Sequence, residues 1–76
     1  ELDLSKTEVG DKGLTALKSL ESLHTLNVAG TKITDEGVKG LTDLTALRYL
    51  NVQNTKVTVP TIKTLEDAMP GIRIMR

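Results

Sequence analysis

LHTLNVAGTKITDEGVKGLTDLTALRYLNV, residues 23–52, contains one motif twice. The pattern Leu-x-x-Leu-x-Val occupies residues 23–28 and returns at residues 47–52, a spacing of 24. A looser copy precedes this stretch and another follows it. A motif that returns at a fixed period of about 20–50 residues is typical of repeat proteins, in which each unit buries its apolar side against the next.

Aligning the chain with itself at this period brings six columns of similar residues into phase over three copies. One apolar coincidence would be weak evidence, but six in phase strongly indicate an internal repeat. The columns are Leu2/Leu26/Leu50, Leu4/Val28/Val52, Thr7/Thr31/Thr55, Val9/Ile33/Val57, Leu14/Val38/Ile62 and Leu17/Leu41/Leu65. We therefore predict a single array of about three 24-residue repeats (1–24, 25–48 and 49–72) with a C-terminal closing strand.

Apolar residues alternate at the start of each copy, which predicts short strands with one buried face at residues 1–5, 25–29 and 49–53. Because each strand is followed by a crossover, the strands are expected to pair in parallel with right-handed connections. Ile72, Arg73 and Ile74 can form a fourth strand. Strict phase pairs Ile74 with Leu50, whereas a one-residue insertion would pair Met75 with Leu50; the first register is favoured.

The predicted helices also begin in phase. Gly10, Thr34 and Thr58 share one column and are acceptable N-cap residues. Asp11 and Asp35 follow them, where a carboxylate meets the positive end of the helix dipole. In the third copy the first turn contains a proline, which is tolerated there. Apolar residues at near-helical spacing are expected to face the strands: Leu14, Leu17 and Leu20, and then Val38, Leu41 and Leu44. Pro70–Gly71 should end the last helix at or before Met69.

The threonine column lies where the chain leaves each strand and turns. We expect each hydroxyl to bond backbone groups that the sheet no longer satisfies, in a ladder about 4.8 Å apart. Ordinary turn threonines are the alternative explanation, but three in phase favour the ladder.

Thr31–Val38, which reads TKITDEGV, and its looser copy at Thr7–Leu14 resemble a subclass of leucine-rich repeats. They resemble the cysteine-containing repeats of F-box-type ubiquitin ligase receptors, with Thr in place of Cys, and more closely bacterial arrays with Thr in that column. The closing Met69–Ile74 resembles the ending of such arrays. The resemblance covers the whole chain. It implies an α/β fold: a right-handed superhelix, or horseshoe-shaped solenoid, with parallel strands on the concave face and helices on the convex face.

The family binds its partners through the concave face, so the resemblance implies a binding site on the outward strand positions. These candidate residues are Asp3, Ser5, Thr25, Asn27, Tyr49, Asn51 and Gln53, with Arg73 as a possible extension. Tyr49 is the strongest anchor candidate, because aromatic residues are enriched at binding hot spots. The alternative is a tyrosine that only covers its neighbours. For Asn51 and Gln53, the alternative to binding is a hydrated polar face.

The expected function is protein–protein interaction through the concave face. The alternatives are a substrate-receptor or regulatory segment of a larger enzyme, such as an F-box-type ubiquitin ligase or a kinase, and a structural C-terminal cap without a partner of its own. No enzyme activity is expected. The serines lack a histidine in a plausible triad, and Asp11 and Asp35 are explained by helix capping.

Composition restricts the ligands further. The chain has no cysteine and one histidine, His24, so no metal or cofactor is expected. Ten acidic and ten basic side chains cancel, which argues against nucleic acid and against an anionic membrane surface. No apolar run is long enough to span a bilayer.

Because residue 1 falls inside a strand pattern with an uncovered edge, we expect a C-terminal fragment whose upstream repeats are missing.

Overall fold

The computed structural model describes residues 2–44 and 46–76, apart from the side chains of Lys18 and Asp43. The elements follow one another as β1 (Leu2–Asp3), α1 (Asp11–Thr15), β2 (Thr25–Asn27), α2 (Asp35–Lys39), β3 (Tyr49–Asn51), α3 (Val59–Ala68) and β4 (Arg73–Met75). The 3₁₀ segments Ala16–Ser19 and Gly40–Asp43 extend α1 and α2. We call each circuit of strand, turn and helix a coil. Among the described helices, none has the length and apolarity needed to cross a membrane.

The four strands form one parallel sheet in the order β1-β2-β3-β4, as expected for an α/β repeat fold. Leu26 pairs with Leu2 on one side and with Leu50 on the other, so equivalent residues of successive coils lie side by side. Leu50 pairs in turn with Ile74. The strict register predicted for the last strand is therefore confirmed, and the alternative with a one-residue insertion is wrong.

Strands β1, β2 and β3 are shorter than predicted, and each ends at a polar side chain, whereas β4 has the predicted three residues but lies one residue later than Ile72–Ile74. Asp3, Asn27 and Asn51 occupy one column, and each accepts a hydrogen bond through Oδ1 from the backbone N–H two residues later, at 2.9–3.0 Å. This Asx turn takes up the N–H of that one residue and begins the turn, while backbone bonds between coils continue briefly beyond it, as from Lys6 N–H to the Ala29 carbonyl. The predicted strand start at Glu1 lies outside the described residues.

The turn that follows requires a left-handed backbone in every coil. Lys6, Gly30 and Asn54 occupy one column and have φ values of 57°, 71° and 58°. Glycine and asparagine tolerate this region, whereas lysine adopts it at a steric cost. The backbone path is therefore repeated even where the residue type is not.

The aliphatic core lies between the sheet and the helices and is most complete in the second and third coils. Leu26, Val28, Ile33, Val38 and Leu50 are fully buried. In the first coil Leu2, Leu4 and Leu17 are only partly buried against this core, because the described residues cover that coil on one side.

The burial predicted for Leu20 is wrong. Its side chain is 42% exposed, whereas its equivalent Leu44 is 1% exposed. Both residues follow a 3₁₀ segment at the same place in their coils. They differ in packing: Leu44 lies between two neighbouring coils, and the coil of Leu20 has a described neighbour on one side.

The threonine column bonds the turn backbone as expected, but each residue does so within its own coil. Thr7, Thr31 and Thr55 each donate a hydroxyl hydrogen bond to the carbonyl three residues earlier, at 2.6–2.7 Å. Thr31 is buried, with 6% of its surface exposed, whereas Thr7 is exposed. The same bond is therefore made in two different environments.

Thr31→Val should lower the free energy of unfolding by about 1–3 kcal/mol, because it leaves the buried Val28 carbonyl without this donor. Thr7→Val removes the same bond at an exposed site and should cost less than half as much. Urea denaturation of both variants measures the difference. Equal losses would contradict a role for burial.

Candidate functional site

The side chains that project from the sheet opposite the helices form a surface that we call the outer face. It comprises Asp3, Thr25, Asn27, Tyr49, Asn51, Arg73 and Met75, which are partly or fully exposed. Strand register arranges them in two rows. One row is Thr25–Tyr49–Arg73, and the other is Asp3–Asn27–Asn51–Met75. Neighbours within a row lie about 4.8 Å apart, close enough for one ligand to contact several.

Two of the predicted site residues lie beyond the strands. Ser5 donates its backbone N–H and its hydroxyl to Asp3, and the backbone N–H of Gln53 bonds Asn51. Both residues therefore belong to the turns after the Asx residues, at the end of the outer face. Gln53 is exposed there, and Ser5 is partly buried.

One cluster on the outer face consists of Tyr49, Arg73 and Met75. The sequence predicted Tyr49 as a site residue and Arg73 as a possible extension. The Tyr49 hydroxyl donates to Met75 Sδ at 3.4 Å, and Arg73 pairs with Tyr49 across β3 and β4. A depression of about 430 Å³ adjoins this cluster and continues past β4 to Glu66 on α3. Sequence reasoning missed Met75, although strict 24-residue phase puts it in the column of Asn51.

The Asx turns also fix the orientation of two amides on the outer face. Asn27 Oδ1 accepts from Ala29, and Asn51 Oδ1 accepts from Gln53. Since a backbone N–H can bond only the oxygen, these bonds fix which end of each amide faces the turn, and the NH₂ group of each amide is directed away from that bond. The middle of the outer face therefore offers hydrogen-bond donors.

The ends of the outer face carry opposite charges. Hydrogen bonds from the Ser5 hydroxyl and backbone N–H lower the pKa of Asp3, so this carboxylate is ionised at neutral pH. Arg73 lies on the opposite edge strand. The ion pair found among the described side chains joins Lys39 Nζ to Glu36 Oε1 on α2, at 4.0 Å. Arg73 forms no ion pair with a described side chain.

Asp11 and Asp35, the carboxylates considered for catalysis, instead join successive coils. Asp11 accepts the backbone N–H of Thr34 at 2.8 Å and its hydroxyl at 2.6 Å. Asp35 accepts the same two groups from Thr58, at 2.7 and 2.8 Å. We call each pair an inter-coil link. The arrangement assigns both carboxylates a structural role.

The inter-coil links change the expected role of the N-cap column. Gly10, Thr34 and Thr58 are the N-cap residues, as predicted. The hydroxyls of Thr34 and Thr58, however, donate to the aspartate of the preceding coil and make no capping bond to their own helices.

Gly37 makes room for the first inter-coil link. A Cβ at this position would collide with the Asp11 carboxylate and lie 3.1 Å from the Asp11 Cα. The equivalent position in the third coil is Thr61, which is buried and whose hydroxyl helps to lower the pKa of Asp35.

The described residues contain no group of three or more His, Asp or Glu side chains that could hold a metal ion. His24 is exposed at the approach to β2.

A family model for the leucine-rich repeat matches residues 1–18 and 19–41, which together make up more than half of the chain. No curated protein matches the chain.

The links predict how stability depends on pH. Hydrogen bonds from Thr34 lower the pKa of Asp11, and the hydroxyl contributes more to this shift than the backbone N–H. The backbone N–H and hydroxyl of Thr58 do the same for Asp35. A folded-state pKa below the unfolded value adds stability that is present above about pH 4 and is lost as the pH falls through the folded pKa. The double variant Asp11→Asn/Asp35→Asn should therefore lose less stability than the wild type on acidification.

Urea denaturation between pH 7 and pH 2.5 measures this effect. Asp67→Asn, which changes an exposed carboxylate that makes no hydrogen bond in the described structure, is the control and should keep the wild-type slope. An unchanged slope in the double variant would rule out the links as its source.

Gly37→Ala should destabilise the fold by about 1–3 kcal/mol, because the new methyl group displaces the Asp11 carboxylate from Thr34. Gly10→Ala is the control, since a Cβ there has nothing within 4 Å; its loss should be the smaller one, limited to the poorer N-capping of alanine in α1, about 1 kcal/mol or less. Thermal or urea unfolding measures the loss of stability in each variant. Equal losses would contradict the role of Gly37 in making room for the inter-coil link.

Proposed function

This chain belongs to the leucine-rich repeat family, and we propose that it is a binding module whose outer face recognises a partner protein. Repeats of this family commonly mediate protein–protein interaction, and the family is generally a non-catalytic binding module. The partner is therefore expected to be a protein, bound by contact rather than changed chemically.

We further propose that the array curves into a right-handed, horseshoe-shaped superhelix with the outer face on its concave side. Parallel strands are spaced about 4.8 Å apart, whereas packed helices need about 8–10 Å. Coils with strands on one side and helices on the other are therefore narrower on the strand side. Repeated stacking must bend the array toward the strands.

The proposed divisions of the array are residues 1–24, 25–48 and 49–72, followed by the closing strand β4. The support is the pairing of Leu2, Leu26, Leu50 and Ile74, each 24 residues after the last. A partner that lies across the strands would contact the same column in several coils. Recognition would then depend on the differences within each column.

The observation that carries the binding proposal is the position of Tyr49 on the outer face. Its ring is partly buried, and its hydroxyl contacts Met75, so the side chain has a defined place. Thr25, Arg73 and Asn51 surround it with polar groups. A partly buried aromatic residue within a polar rim is the usual composition of a binding hot spot.

Replacing Tyr49 and Gln53 by alanine should weaken binding of a protein partner by about tenfold or more, because both contact groups are removed. Asn51 is left unchanged because its Oδ1 holds the turn after β3. Affinity is measured by titration calorimetry or surface plasmon resonance, and urea unfolding confirms that the double variant folds.

The matched control is Lys39→Ala/Lys63→Ala, which alters two exposed residues on the helical side. This variant should bind within about twofold of the wild type. A partner that lost affinity for the lysine variant and kept it for the Tyr49/Gln53 variant would place the binding site on the helices and refute the proposal.

A further inference from the structure

We propose that the outer face binds an extended acidic segment of the partner protein, with carboxylates on Arg73 and hydrogen-bond acceptors on the amides of Asn27 and Asn51. This inference rests on the proposed binding function and specifies the chemistry of the ligand. It follows from the donors, the charges and the apolar contact that the outer face presents.

The first step is the fixed direction of the amides. Asn27 and Asn51 are neighbours in one row, and the oxygen of each accepts a hydrogen bond from its own Asx turn. Two NH₂ groups about 4.8 Å apart therefore point toward any ligand. Carboxylate and carbonyl oxygens accept hydrogen bonds from such a pair of NH₂ groups.

The second step is the charge of Arg73. This side chain is exposed and makes no ion pair with another described side chain. Its guanidinium can hold a carboxylate through two parallel hydrogen bonds. Glu66 also adjoins the depression, but it lies on α3, on the other side of the sheet from the outer face.

The charges at the two ends of the outer face determine where the carboxylates of the segment bind. Asp3 lies on β1 and Arg73 on β4, three strand spacings and two residues apart in register. The diagonal between them is about 16 Å, which an extended segment crosses in about five residues. The ionised Asp3 repels acidic groups from its end. Carboxylates are therefore favoured over β3 and β4.

The fourth step is the apolar contact next to Arg73. The Tyr49 hydroxyl contacts Met75 Sδ, and the Met75 side chain is 42% exposed. An apolar side chain beside the bound carboxylate would cover both. The preferred ligand is thus an acidic segment that also carries a large apolar residue.

The test uses a phage-displayed library of random linear peptides of about twelve residues, long enough to cross the outer face. The library is selected on the immobilised 76-residue chain. We expect Asp and Glu to be at least twice as frequent in selected peptides as in the unselected library. The most enriched peptide is then synthesised with a fluorescent label, and its affinity is measured by anisotropy.

Asn51→Asp is the decisive variant. Its carboxylate can still accept the turn bond from Gln53, as Asp3 does from Ser5 in the first coil, but it replaces the outward donor with a charged acceptor. The enriched peptide should bind this variant at least tenfold more weakly. Arg73→Gln should weaken binding about fivefold, equivalent to about 1 kcal/mol. The control Lys63→Gln removes a positive charge from α3 and should change affinity by less than twofold.

The outcomes separate the two proposals. Selected peptides without acidic enrichment, or an affinity that Asn51→Asp and Arg73→Gln leave unchanged in variants with wild-type urea midpoints, would overturn the acidic ligand. If Tyr49→Ala still weakened such peptides, the outer face would remain the binding site with another ligand chemistry. If Tyr49→Ala also had no effect, both proposals would fail.

Discussion

The register between successive coils is the constraint on which the structure depends, and the aspartate-to-threonine hydrogen bonds hold it on the helical side. Leu26 and Leu50 can share one buried layer only if each coil advances by one strand spacing without slipping. A slip of one residue would turn the apolar side chains to the other face of the sheet. Asp11 and Asp35 oppose such a slip, since each binds two groups of one threonine in the next coil. Apolar stacking supplies the stabilisation, and these directional bonds add specificity to the alignment.

On the outer face, one column combines a structural and a binding role. Asp3, Asn27 and Asn51 end their strands through Oδ1, so the turn holds these side chains in place before any partner arrives. Side chains held in this way lose little further freedom on binding. The same turns decide which atom of each amide faces outward. The chemistry of the face thus depends on backbone geometry as well as on residue type.

The features that were predicted from the sequence are those that every copy repeats. The 24-residue period was enough to predict the pairing of Leu50 with Ile74 and the N-cap positions of Thr34 and Thr58. The period could not predict which atoms bond across coils. Asp11 fits a helix-dipole role in its own coil, and its actual partner lies 23 residues later. The exposure of Leu20 escaped prediction because a column records residue type, whereas burial also depends on whether a coil is covered on both sides. Met75 was missed because the strand was expected to end at Ile74.

The third coil shows that the links and the outer face can vary independently. Val59, which is 63% exposed, stands in the third coil where the first two coils have an aspartate. The third coil therefore accepts an inter-coil link from the second coil through Thr58 and has no carboxylate in that column to form another. Thr61 replaces the glycine there, and its hydroxyl is among the groups that lower the pKa of Asp35. On the outer face the same coil contributes Tyr49, where the second has Thr25, and the strand register is unchanged. Because the coils are aligned by the core and the helical side, substitutions in the row of Thr25 and Tyr49, which makes no turn bond, need not disturb the stack. This separation explains how one repeated framework can present a different binding surface in each coil.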